Sequence, residues 1–300
     1  MDLKVKGVIV PPLTPFDERG EIDTSAIKRL VDFLIERGIH GLFPGGTTGE
    51  GPLLDMSERR RLTEAFVQAA DGRVPVIAHT GAITTRATLE LTRHAQLSGA
   101  QAAAIIPPYF YHHSDEALLQ HFELIAAHTP DFPIYLYNNP SVAGNNLSLE
   151  LVTRLVERCP NIVGIKDSSG SLETLFAISA LRNGRFNTAS GNDGQILMGM
   201  AMGLDACVSG NANVVPELVV ALYHATVAGN LELARELQRK VDAVRQLLGD
   251  GADLSLFKGI LAQRGLAIGT VRAPLLQAPE AVITQRWHAL NALGLSLIPA

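Results

Sequence analysis

At 300 residues, with 47% hydrophobic and 18% charged residues, the chain can bury a large core in one α/β domain plus an appendage. A formal net charge of -5 without a basic stripe or acidic tail argues against nucleic acid or an anionic membrane as partner, and for a small soluble ligand. Cys159 and Cys207 have no C-x-x-C spacing and read as reduced and buried; with no charged-then-apolar leader and no run near the roughly twenty apolar residues of a spanning helix, a cytoplasmic location is expected.

From the N-terminus one unit repeats: a short apolar run, a loop, an amphipathic helix, then Gly or Asn before the next run. The strand candidates are Gly7 to Val10, Gly41 to Phe43, Val74 to His79, Ala102 to Ile106, Pro133 to Tyr137, Ile162 to Lys166, Asn187 to Ser190 and Asp205 to Val208. Helices with a 3.6-residue apolar period lie between them, such as Ile27, Leu30, Val31 and Leu34, or Leu118, Phe122 and Ile125. Asp23, Ser57, Thr85, Ser114 and Ser148 are the expected caps, and Gly38, Gly99 and Gly203 the expected stops. Near-continuous apolar strands alternating with helices imply a parallel sheet covered on both faces, and eight units imply closure into a (β/α)8 TIM barrel. An open doubly wound sheet is the rival.

The rhythm ends near Gly229. Leu233, Leu237, Val241, Val244 and Leu248 then share one helical face, and helix-like pieces follow around 254–265 and 280–293. The expected division is a barrel over residues 1–228 and a C-terminal helical appendage over 229–300.

In such a barrel, functional groups collect where strands end. The apolar run Ile162-Val163-Gly164-Ile165 ends in Lys166, one of six lysines. The other five, Lys4, Lys6, Lys28, Lys240 and Lys258, lie in the polar N-terminal arm or in helix-like segments where a solvated amine is expected. Lys166 fits either a strand-end lysine reaching for water or an amine in a dry pocket, deprotonated by desolvation and able to add to a ketone.

After the second strand, Gly45-Gly46-Thr47-Thr48-Gly49-Glu50 offers backbone N–H groups and hydroxyls to a carboxylate, or simply a capped Gly-rich turn; the Gly-Lys-Ser/Thr ending of a P-loop is absent. Tyr137, at the end of the fifth strand beside the strand of Lys166, could pass protons or fill core. Ser190-Gly191-Asn192-Asp193 and Val208-Ser209-Gly210-Asn211 supply polar groups or caps. In Tyr109-Phe110-Tyr111-His112-His113, adjacent side chains of an extended segment point opposite ways, so the two histidines cannot easily share an ion, and no metal site is expected. A Gly-Thr-Thr loop, a Tyr and a Lys converging on one mouth suit a 2-keto acid, with carboxylate on the loop, ketone on the amine and protons through the phenol.

Gly46-Thr47-Thr48-Gly49-Glu50, Tyr137-Asn138-x-Pro140 and Gly164-Ile165-Lys166-Asp167, in that order and spacing, resemble the dihydrodipicolinate synthase / N-acetylneuraminate lyase superfamily of Schiff-base aldolases over essentially the whole chain. The resemblance implies that Lys166 forms the Schiff base, Tyr137 donates and accepts the proton, and Thr47 relays for Tyr137. It also implies that Thr48 and Gly46 meet the pyruvate carboxylate, that Val208, Gly191, Asn192 and Tyr111 line the substrate, and that the protein is a homotetramer built as a dimer of dimers.

Two departures bear on the substrate. Where the lysine-pathway synthase has an arginine after the Tyr-Asn-x-Pro turn, this chain has Val142, and where that synthase lends a tyrosine across its dimer, this chain has Phe110. Tyr111, one residue on, should start from the opposite face. Losing a bidentate carboxylate ligand costs that substrate roughly 2–5 kcal/mol of discrimination. Other stretches, among them Pro107-Pro108-Tyr109 and Ala212-Asn213-x-x-Pro216, are similar to 2-keto-3-deoxygluconate aldolases. The expected activity is therefore cofactor-free cleavage or formation of a 2-keto-3-deoxy sugar acid from pyruvate and an aldehyde, the iminium being the electron sink. The alternatives are 4-hydroxy-tetrahydrodipicolinate (dihydrodipicolinate) synthase or a related dehydratase and, outside catalysis, a keto-acid-binding regulatory barrel.

Overall fold

A computed structural model describes residues 3–295 and 297; residues 296 and 298–300, the tail of the expected appendage, lie outside the described residues. Eight parallel strands run β1 (Gly7–Val10), β2 (Gly41–Leu42), β3 (Ile77–His79), β4 (Ala102–Ile105), β5 (Ile134–Asn138), β6 (Ile162–Asp167), β7 (Asn187–Ser190) and β8 (Ala206–Val208). They pair in the order β2-β1-β8-β7-β6-β5-β4-β3, and a parallel bridge between Leu42 and Val76 joins the ends into a barrel. The open-sheet rival is thereby excluded.

The third strand starts later than the apolar run suggests. Pro75 has no N–H to give to a ladder, so the closing contact is made instead by its carbonyl, which accepts from the Leu42 amide at 2.9 Å. Two caps also shift. Asp55 rather than Ser57 caps the helix Met56–Ala70, in a capping box with Glu58, and Thr84 rather than Thr85 caps Thr85–Leu97. Asp23, Ser114 and Ser148 cap as expected, and Gly38, Gly99 and Gly203 follow their helices with positive φ.

Two apolar bodies hold the fold. The larger lies between sheet and helices and takes in Val8, Leu42, Ile105, Leu136 and Ile165 from the outward faces of the strands. Val241, Val244, Phe257 and Ile260 of the C-terminal helices Leu231–Leu247 and Leu254–Gln263 join it, so these helices share the barrel's core. The smaller body fills the barrel: Ile9, Phe43, Ile77, Tyr135, Tyr137, Val163 and Val208 alternate with Ala102, Ala104, Ala189 and Ala206. Small residues opposite large ones leave room for two tyrosines and a lysine side chain in layers. At the lower end the Tyr135 hydroxyl donates to Asn187 Oδ1 at 2.8 Å and lies 3.1 Å from the Leu3 carbonyl, while Asn187 Nδ2 donates to the Val5 carbonyl, closing the floor.

No helix among the described residues is long and apolar enough to cross a membrane. Cys159 and Cys207 are free and buried.

Candidate active site

The register of β5 and β6 sets Tyr137 beside Lys166 and Asn138 beside Asp167. Alternation then turns Tyr137 and Lys166 into the barrel and Asn138 outward, where its amide donates to Asp167 Oδ2 at 2.8 Å and to Asn146 Oδ1 at 3.0 Å. The Asp167 carboxylate also accepts from the Ser169 amide and hydroxyl, so a buried polar network ties together the two turns that follow the strands.

Lys166 is 6% exposed, and its Nζ lies 4.1 Å from the centre of the Tyr137 ring and 4.4 Å from that of Phe43. The side chain is buried in the barrel and does not reach out to water. The Tyr137 hydroxyl stands 3.2 Å from Thr47 Oγ1 and accepts from Asn139 Nδ2 at 3.2 Å. Burial alone would raise this phenol. The adjacent Lys166 charge and the hydrogen bonds from Thr47 and Asn139 outweigh it, and the phenol titrates below its ordinary value. A phenol so disposed gives up its proton more readily than a free tyrosine, next to an amine that can add to a carbonyl.

The remaining expected residues divide. Gly46 is buried in the turn after β2, and Thr48 is half-buried beside it. Val208 lies in the interior cluster with Tyr137. Gly191 abuts the lysine: a Cβ there would fall 3.1 Å from Lys166 Cε and 2.1 Å from Ser168 Oγ, so only glycine leaves that side open. Asn192 acts as a cap, its Oδ1 accepting from the Gly194 amide at 3.0 Å, with Arg245 Nη1 at 3.5 Å. Tyr111 is 65% exposed and stands away from the interior cluster.

The expectation that the 109–113 segment is extended fails. Phe110 adopts φ 84, a left-handed conformation that is strained for an aromatic residue, and the reversal brings its ring edge-on to Tyr111 with centroids 5.0 Å apart. Both rings then share one outward side instead of opposite faces. His112 Nδ1 lies 2.8 Å from the Gly144 carbonyl, and no cluster of three or more His, Cys, Asp or Glu suited to a metal occurs among the described residues.

Three features went unread in the sequence. His79, at the inward end of β3, packs edge-on to Tyr137 with centroids 5.7 Å apart; burial, then the Arg59 and Lys166 charges, hold it well below its ordinary value and hence neutral. Arg59 reaches from the second helix to the carbonyls of His79 and Gly81, at 2.8 Å each. Lys258 was expected in solvent but is buried, its Nζ 2.7 Å from Glu50 Oε1 with neither side chain exposed. A histidine closing an apolar strand was the available signal for the first; the partners of the other two are too distant in sequence to suggest themselves.

The sequence profile of the dihydrodipicolinate synthetase family matches residues 4–292. An uncharacterised DapA-like lyase of Halobacterium salinarum is 38% identical over 274 residues, covering 91% of this chain and 89% of its own. The 4-hydroxy-tetrahydrodipicolinate synthase of Thermus thermophilus is 38% identical over 268 residues, covering 89% of each chain. Among solved structures, YagE, a prophage protein of the dihydrodipicolinic acid synthase family from Escherichia coli K12 in complex with pyruvate, superposes with a TM-score of 0.91 at 30% identity over 96% of this chain and 98% of its own. A profile match over nearly the full length, joined to a closed barrel with a buried lysine beside a hydrogen-bonded tyrosine, identifies the chain as a carbon–carbon lyase belonging to the dihydrodipicolinate synthetase family of Schiff-base, class I pyruvate aldolases.

Proposed function

We propose that the protein cleaves or forms a 2-keto-3-deoxy sugar acid through an imine on Lys166, with pyruvate as the keto acid and a neutral hydroxyaldehyde as partner. The observation that carries the mechanism is the Lys166 amine held against the face of Tyr137, whose hydroxyl meets Thr47. In the cleavage direction the amine adds to the C2 ketone and water leaves. Tyr137 takes the proton of the C4 hydroxyl as the C3–C4 bond breaks, and the electron pair passes into the iminium to give an enamine. Protonation at C3 and hydrolysis then return pyruvate and the free amine. Thr47 relays for the phenol, Gly46 and Thr48 hold the carboxylate, and Gly191, Asn192 and Val208 line the substrate.

The choice of aldehyde rests on Val142. It is 53% exposed on the short helical turn after Tyr137, where the synthase resemblance requires an arginine for a second carboxylate. A second reading, 4-hydroxy-tetrahydrodipicolinate synthase, draws support from relatives of that name at 34–38% identity. We assign residues 1–228 to the catalytic barrel and 229–300 to an appendage. We also infer a cytoplasmic homotetramer, a dimer of dimers; Phe110 and Tyr111, 83% and 65% exposed, supply an apolar contact for a second copy.

Borohydride reduction with pyruvate tests the imine. A mass increase at position 166, lost in Lys166→Ala, is expected, and an unlabelled lysine overturns the mechanism. Pyruvate offered with glyceraldehyde, aspartate semialdehyde or N-acetylmannosamine tests the substrate. Turnover with the first is expected, turnover only with the semialdehyde selects the second reading, and binding without any turnover selects a regulatory barrel.

A further inference from the structure

The Gly46–Gly51 turn carries Thr47, and its far end is anchored by residues from beyond position 250. Glu50 closes the turn with φ 55, its amide donating to the Thr47 carbonyl at 3.1 Å, while the Gly51 amide donates to the Gly46 carbonyl at 3.1 Å. Gly51 has no room to yield, because a Cβ there would lie 1.9 Å from the Gly45 carbonyl oxygen. Thr47 and Glu50 are thus two ends of one stiff turn, whose Gly49 carbonyl also accepts from the Thr14 hydroxyl, and what fixes Glu50 helps fix the backbone that carries the Thr47 hydroxyl.

The Glu50 side chain is held from the C-terminal part of the chain. Its Oε1 meets Lys258 Nζ at 2.7 Å and its Oε2 accepts from the Arg272 amide at 2.8 Å. Lys258 in turn donates to the Thr270 carbonyl at 2.7 Å and lies over the Phe16 ring, its centre 4.4 Å away. Arg272 forks onto Glu58 with contacts of 2.8 and 2.7 Å, gripping the capping box of the helix that follows the turn, and its guanidinium lies 4.5 Å from the centre of the Phe16 ring. Burial lowers Lys258 from its ordinary value, while Glu50 opposes that shift by charge and hydrogen bond.

A buried ion pair is poor value as a source of stability, since desolvation of both charges consumes most of their attraction and an apolar pair of like shape does as well. What a charge pair supplies and an apolar pair does not is placement, since the Glu50 carboxylate is drawn to the Lys258 charge at one oxygen and accepts from the Arg272 amide at the other. We propose that Lys258 and Glu50 form a positioning pair through which the C-terminal helices set the Thr47 hydroxyl on the Tyr137 phenol. This rests on reading Tyr137 and Thr47 as the proton-transfer pair, but its main readout does not depend on turnover.

The experiment compares wild type with the neutral pair Glu50→Gln/Lys258→Met and with Glu50→Gln alone, following the tyrosinate absorbance assigned to Tyr137 by its loss in Tyr137→Phe. In a folded variant the Tyr137 titration moves to higher pH. The kcat of retro-aldol cleavage falls about ten-fold or more while the pyruvate KM changes less than about three-fold, the signature of a lost transition-state contact. A folded double variant with a wild-type Tyr137 titration and kcat overturns the proposal, whatever its melting temperature. If the double variant does not fold, Glu50→Gln, which keeps the shape and an oxygen for Arg272, decides by the same titration. Failure of wild type to trap pyruvate removes the Schiff-base reading and leaves this titration to decide the clamp.

Discussion

Replacing Thr47 by valine removes one hydroxyl from the Tyr137 oxygen and changes little else. That oxygen meets Thr47 Oγ1 and Asn139 Nδ2, each at 3.2 Å, beside the Lys166 amine. In Thr47→Val the Asn139 amide and Lys166 remain. A hydrogen bond to a charged group is worth about 1.5–3 kcal/mol, and the phenolate formed during proton transfer is such a group. Charged wholly to the transition state, this predicts a fall in kcat of about 10- to 150-fold. Thr47 is solvent-exposed, so the folded state should lose less than about 0.5 kcal/mol and the melting temperature should hold. Steady-state cleavage of a 2-keto-3-deoxy sugar acid, run beside borohydride trapping with pyruvate, separates the steps, with kcat expected to fall while pyruvate remains trappable. A folded Thr47→Val enzyme with kcat within about two-fold of wild type would refute the relay.

Gly191→Ala sets a methyl against Ser168 Oγ and Lys166 Cε and should slow pyruvate trapping markedly, overpacking of this kind costing about 1–3 kcal/mol; trapping at the wild-type rate would mean that the lysine approaches from another side. Val142→Arg should raise kcat/KM for aspartate semialdehyde relative to glyceraldehyde, and an unchanged ratio would remove position 142 from the account of specificity. His121, buried beside Thr85, is pushed down to about 4 by burial and then by His113, so its neutral form stabilises the fold above its unfolded value near 6.5, and that stability is lost as pH falls toward 4. The loss is roughly 3 kcal/mol by pH 4, and His121→Gln should flatten the denaturation curve over that window by this amount.

What could be read from the sequence was whatever depends on neighbours in the chain. Apolar runs closed by Gly, and a lysine ending one of them, led to the barrel and to Lys166, because strand period and burial are local patterns. The errors of one or two residues at Ser57 and Thr85 arose where several capping side chains stand together and only geometry chooses among them. Phe110 misled because a left-handed backbone is rare at an aromatic residue and the local composition does not signal it. Lys258 misled for a different reason. A lysine in a helix is normally solvated, and the carboxylate that draws this one inward is more than 200 positions away.

The sealed floor beneath Tyr135 has a kinetic corollary. With the lower end closed by Leu3, Val5 and Asn187, both fragments of the proposed cleavage would leave through the upper mouth, by which water also enters. An imine on Lys166 would hold the keto-acid fragment innermost, so the proposed cleavage would release the aldehyde first and pyruvate last, and synthesis would load pyruvate before the aldehyde.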